Sequence, residues 1–74
     1  MKPKSKFIIR KEILDTDGKF IAYKYYFRTV DRIPEWIDEE SSAMRFNNED
    51  IAWKAIEDMR FLVVARMSVK EIKS

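Results

Sequence analysis

The sequence predicts a small α+β domain: a mainly antiparallel sheet, made of an N-terminal hairpin, a short middle strand and a C-terminal strand, with one helix packed on one face. Three observations predict it. Residues 7–27 read FIIRKEILDTDGKFIAYKYYF, two runs with apolar or aromatic side chains at nearly every second position around one turn signal. Residues 48–60 carry apolar side chains at helical spacing. Residues 61–72, FLVVARMSVKEI, return to strand character.

The hairpin turns at Asp15-Thr16-Asp17-Gly18-Lys19, and two registers are open to it. A two-residue Asp17-Gly18 turn pairs Thr16 with Lys19 and sets Lys11 opposite Lys24, two like charges. A three-residue turn, with Gly18 in the left-handed region as a bulge, pairs Asp15 with Lys19 and sets Arg10 opposite Lys24. The bulged register is preferred because it gathers Phe7, Ile9, Ile13, Ile21, Tyr23, Tyr25 and Phe27 on one inner face for the helix. A slip of one residue would lose that face. The outer face then interleaves Lys6, Arg10, Lys24 and Arg28 with Ile8, Phe20 and Tyr26.

Residues 30–42, VDRIPEWIDEESS, read as irregular around the short middle strand. Pro34 lacks an amide donor and keeps Ile33 extended. Trp36 and Ile37 are expected to tuck against the sheet edge, and Glu39 to Ala43 to form one helical turn. Asn47 or Asn48 caps the helix that follows, and Glu49 and Asp50 suit the positive end of its dipole. Ile51, Ala52, Ala55, Ile56 and Met59 form its sheet-facing stripe, and Arg60 marks its last turn. The final strand starts with FLVVA, apolar on both faces, as expected for a strand buried between layers.

Seventy-four residues make one domain, 1–74, with 1–5 expected as a flexible tail. A chain this short buries only about 60–65% of its unfolded surface. A composition 46% hydrophobic and 14% aromatic offsets the thin core. There is no cysteine, hence no disulfide, and no histidine, so zinc would have to be held by carboxylates alone. No metal or cofactor is expected. MKPKSK is basic, but no apolar stretch follows it as in a signal peptide. The longest apolar run, FLVVA, is far short of the roughly 20 residues that span a bilayer. These features lead us to expect a soluble, cytoplasmic chain with no membrane partner.

The net charge of +2 hides an asymmetry. Residues 1–30 carry eight basic and three acidic side chains, residues 31–50 two and seven, and residues 51–74 five and three. Two readings follow: the acidic segment folds back on the basic hairpin, or the bipolar field addresses a partner.

Catalysis is disfavoured. Without His or Cys the common nucleophile–base pairs cannot be built. The carboxylate groups Asp15/Asp17, Asp38/Glu39/Glu40 and Glu49/Asp50 each have a local role, in a turn, a solvated loop and a helix start. Gly18 stands alone, so no glycine-rich phosphate loop exists. Nucleic-acid binding has a candidate face: Lys6, Arg10, Lys24 and Arg28 for phosphates, Phe20 and Tyr26 for base stacking. Against it, both aromatics lie on one strand, the consensus of the RNA recognition motif is absent and the net charge is low. Protein binding has two candidate sets. Trp53 lies about 130° from the centre of the apolar stripe, beside Glu57 and Arg60, a composition typical of interface hot spots. The run Glu35–Glu40 around Trp36, with Asp38, Glu39 and Glu40, could imitate nucleic-acid phosphates to a basic protein. A homodimer through an uncovered face or edge is a third possibility, since Ile8, Leu14, Phe20 and Tyr26 lie on the outer face.

The order of elements resembles a group of short phage- and prophage-encoded proteins. In that group a strand–turn–strand is followed by a Trp, an Ala-x-x-Phe step into a Glu- and Ala-rich helix, and a final strand. Here these are Trp36, Ala43-Met44-Arg45-Phe46, the helix from Asn48 to Ile56, and the strand from Phe61. The resemblance covers most of the chain and implies that the step places Phe46 under the helix start. The chain departs from the group by its longer acidic loop at 35–40 and by Trp53. The resemblance implies a setting, a mobile-element accessory protein in the host cytoplasm, rather than an activity.

The expectation is therefore a non-enzymatic, phage-type accessory protein. It would bind and modulate or inhibit a host or viral protein, one that handles nucleic acid being a candidate; anti-restriction and anti-CRISPR proteins and modifiers of transcription or replication belong to this class. The alternatives are a nucleic-acid-binding module using the outer hairpin face, and a structural homodimer.

Overall fold

A computed structural model describes residues 5–73. In chain order it contains β1 (Ser5–Leu14), β2 (Phe20–Val30), β3 (Ile33–Ile37), a 3-10 turn (Glu40–Ser42), α1 (Glu49–Met59) and β4 (Met67–Lys73). The strands form one antiparallel sheet in the order β3-β2-β1-β4. The helix packs over β1 and β4, so the α+β architecture read from the sequence is the one observed. Ser5 opens β1 instead of belonging to a tail, and the rest of the expected tail lies outside the described residues.

Both hairpin registers occur, one after the other. The turn is the bulged one. The Asp15 N–H donates to the Lys19 carbonyl at 2.8 Å, the Gly18 N–H donates to the Asp15 carbonyl at 3.0 Å, and Gly18 sits at φ +83°. The Asp15 carboxylate also accepts from the amides of Asp17 and Lys19. Leu14 pairs with Phe20 in this register, but the ladder then shifts, and Ile13 pairs with Ala22, Lys11 with Lys24 and Arg10 with Tyr25. Ile21 is the extra residue. Because side chains alternate with period two, one added residue turns the rest of β2 over.

That reversal corrects the expected faces. Phe7 and Ile9 do meet the helix, and Ile13 is half-buried outside the core cluster. Tyr23 and Tyr25, expected to face the helix, share the opposite, back face with Arg10; Ile21 and Phe27 are exposed. Tyr26, expected on the outer face, is buried among Ile9, Ala52, Ile56 and Met59. Its ring stacks on Phe46 (centroids 6.3 Å apart) and meets the edge of Trp36 (5.9 Å), and its hydroxyl lies 2.6 Å from the Thr29 Oγ1. Ile8, also expected outside, is fully buried on the back.

The connection from β3 to α1 explains how both sides of β1 are covered. Glu40 pairs with Lys70, the cross-strand neighbour of Ile8, so the 3-10 turn lies on the back. The chain then passes to the front between β1 and β2, which are paired only from Arg10 and Tyr25 onward. There the Met44 amide donates to the Tyr26 carbonyl at 2.9 Å, and Phe46 exchanges two main-chain hydrogen bonds with Phe7, at 2.8 and 3.0 Å. Ala43 is buried on the way through, and Phe46 joins the helix-side core. The Ala-x-x-Phe step thus wedges the sheet open and satisfies the backbone groups it exposes.

Two further elements differ from expectation. The 30–42 segment contains a regular hairpin: Val30 pairs with Ile33 across a two-residue turn in which Asp31 and Arg32 both have positive φ, 51° and 68°. Pro34 sits in β3 at the sheet edge, where its missing donor costs no ladder bond. The last strand begins at Met67, not at Phe61. Residues 61–66 carry the chain from the helix layer down to the sheet edge, so the FLVVA run expected between layers is a connection. The helix itself matches closely. Asn48 caps it by accepting from the Ile51 amide at 2.9 Å, and Ala52, Ile56 and Met59 are buried. Ile51, assigned to the stripe, is exposed.

Candidate protein-contact surface

A set of strongly exposed apolar side chains lies where α1 ends and the chain descends to β4. Phe61 is 95% exposed, Leu62 59% and Val64 fully so, and Trp53 projects from the helix beside them at 44%. Leaving side chains of this size in water forfeits about 1.5–3 kcal/mol each relative to burial. Phe61 alone presents on the order of 200 Å².

The surface is concave as well as apolar. A cleft of about 480 Å³ opens between the helix and the connection, lined by Trp53, Arg60, Val63, Val64, Arg66 and Met67. A second groove of about 380 Å³ lies beyond Val64, against Ile13 and Leu14 of the hairpin. Val64, Ala65 and Arg66 line both, so they form the ridge between two hollows. The Trp53 indole N–H donates to the Glu49 carboxylate at 3.3 Å, which fixes the ring along the helix flank. Glu57, Arg60 and Arg66 supply charges of both signs around the first cleft.

Of the protein-binding candidates, Trp53, Glu57 and Arg60 come together here. The acidic run does not join them. Trp36 packs on the front of the sheet, with the Lys11 ammonium 4.7 Å from its ring centroid. Asp38 pairs with Lys24 at 3.5 Å, Glu39 accepts from the Ser42 hydroxyl, and Glu40 pairs with Lys70. With Glu35 on Arg28 at 3.3 Å, every ion pair among the described residues joins an acid of 35–40 to a base of the sheet. The charge asymmetry is therefore answered within the chain.

The nucleic-acid candidates are scattered. Lys24 and the buried Tyr26 lie on the helix side, Arg28 is paired with Glu35, and Lys6 donates to the Asn47 side chain. Arg10 and Phe20 remain together on the back, where Tyr23 joins them: the Arg10 guanidinium is 4.1 Å from the Tyr23 ring centroid, and the Phe20 and Tyr23 rings are 4.7 Å apart. Among the described residues there is no cluster of acids fit to hold a metal ion. None of their helices is long and apolar enough to cross a membrane.

The contribution of residues 61–65 was missed in the sequence because a two-sided apolar run reads as a buried strand. The available signal was the connection itself, since the chain must descend one layer after the helix and no turn-forming residue lies between Arg60 and Met67. No protein-family model, no curated protein and no solved structure matches the chain.

Proposed function

We propose that this chain acts without catalysis, by binding another protein and modulating or inhibiting it, through the surface formed by Trp53, Phe61, Leu62 and Val64. The observation that carries this reading is the exposure of Phe61, Leu62 and Val64 after the helix, with Val64 and Trp53 lining one cleft. Such a surface is costly for a domain whose fully buried large side chains, among the described residues, are Ile8 and Ile9 alone. The arginines at its rim suit a partner whose apolar contact is bordered by acids. The resemblance to phage-encoded accessory proteins supplies the setting: a host or viral partner in the host cytoplasm, with nucleic-acid-handling proteins as the class to test first.

Affinity capture from a host extract, with and without nuclease, tests it. The wild-type chain should retain a protein that survives nuclease, and Trp53→Ala or Val64→Asp should release it, at a cost of about 2 kcal/mol or more for the tryptophan, while the fold's thermal transition is kept. Retention unchanged in both variants would discard this surface.

A second reading has the back-face set in its favour. Arg10 stacked on Tyr23 beside the exposed Phe20 is a base-stacking arrangement next to a cation. Capture that nuclease abolishes, together with salt-sensitive binding lost in Arg10→Ala, would select it.

A further inference from the structure

We infer that the partner at this surface is a second copy of the same chain, engaged by reciprocal exchange of β4 across residues 61–66. This rests on reading the surface as a protein contact, and it assigns that contact to a second copy in place of a host or viral partner.

Three independent observations lead there. The first is a conflict between local preference and conformation. Phe61-Leu62-Val63-Val64-Ala65-Arg66 has the composition of a strand and contains no Gly, Pro, Asn or Asp, yet it forms a turn and an irregular descent. The local preference of this segment for a strand is thus left unused in the single chain. The second is its main chain. The Leu62 and Val63 amides both go to the Met59 carbonyl, and the Arg66 carbonyl accepts from Glu12 at 2.9 Å. Among the described residues, the Val64 and Ala65 amides donate to no main-chain carbonyl.

The third is the place of β4 in the sheet. It is an edge strand, paired with β1 alone, from Ser5 with Lys73 to Lys11 with Met67. It can leave as a unit and be replaced by the identical strand of another copy, with every contact of β4 to β1 and α1 restored. Only the connection changes. Extended in the same register, Ala65 and Val64 of the incoming strand fall opposite Ile13 and Leu14, in the groove that β4 now leaves uncovered. Beyond that point the two extended connections run antiparallel about the two-fold axis, and Phe61 and Leu62 of each meet the other. The contact is closed and reciprocal, as a symmetric dimer requires.

The absence of cysteine makes the test direct. Ser5→Cys with Lys73→Cys places two thiols opposite one another across the β1–β4 pair. In a closed monomer oxidation joins them within one chain; in the exchanged dimer it joins two chains. The full-length wild-type chain, refolded over a range of concentrations, is expected to sediment at twice the chain mass. The oxidised double variant is expected to run as a covalent dimer on a non-reducing denaturing gel. Val64→Asn with Ala65→Gly, which gives the connection turn-forming residues, should weaken the dimer about tenfold or more without loss of the fold. A wild-type chain monomeric at every concentration overturns the inference while leaving the surface to another protein, which the extract capture decides. A dimer whose thiols join within one chain, or one indifferent to the turn-forming variant, overturns the exchange.

Discussion

Lys11 sits in an environment that disfavours its charge. It faces Lys24 across the hairpin and lies on the helix side of the sheet, over Trp36. Burial, and then the charge of Lys24, hold its ammonium below the ordinary lysine range. Lys24 has an outlet in Asp38, at 3.5 Å. The fold therefore gives up the Lys11 proton before the unfolded chain does. Between the lowered folded pKa and the ordinary value of about 10.4, the unfolded state binds more protons, so stability rises as pH increases through that window. Below the folded pKa the penalty is present in full. Titration of Lys11 by NMR should give a pKa below the ordinary lysine value. Lys24→Gln should bring it part of the way back, part only because burial is the larger cause; a pKa unmoved by Lys24→Gln would show the two charges to be uncoupled.

At the scale of elements, the two hairpin turns differ in how well their residues suit them. Gly18 occupies its left-handed position without strain, and a side chain there would meet nothing within 4 Å. Gly18→Ala should thus cost about 1 kcal/mol, from backbone conformation alone. Arg32 has the opposite problem, a long side chain on a residue at φ 68° in a two-residue turn that favours Asn-Gly. Arg32→Gly should stabilise by about 0.5–1 kcal/mol. Denaturant titrations of the two variants, with unchanged slope, should move their midpoints in opposite directions. A fall in stability for Arg32→Gly would mean that its side chain makes contacts worth more than the strain.

At the scale of the molecule, the sheet works as two parts held by a wedge. Residues 43–46 fill the opening between β1 and β2, join the back of the sheet to its front and bring Phe46 onto Tyr26. Phe46→Ala should cost about 3 kcal/mol. It should also speed amide exchange at Phe7, Met44 and Phe46, whose partners lie across the opening, more than in the Asp15–Lys19 turn. Equal acceleration at both places would show global unfolding and no separate wedge. In the same sheet β4 is an edge strand, hydrogen-bonded to β1 and packed under α1.

Local pattern was enough for much of this chain. The element order, the bulged turn at Gly18, an asparagine cap at 47 or 48 and the Ala52–Ile56–Met59 stripe depend on interactions within a few residues, and period and composition encode those directly. The resemblance-based step at Ala43–Phe46 also pointed to the segment that enters under the helix. The two faces of β2 were not legible, because both turn registers are realised and a single bulge at Ile21 reverses every residue after it. That bulge sets Lys11 opposite Lys24 and turns Tyr26 into the core, where Phe46, twenty residues on, stacks on its ring. The fate of FLVVA was likewise outside the sequence: its residues favour a strand, but the distance from the helix layer to the sheet edge makes them a connection. Sequence alone thus determined the order of the hairpin, the helix and the closing strand, where energies are local. Tertiary structure decided which side chains face inward and which apolar run is left in water, since both depend on what the distant parts of the chain cover.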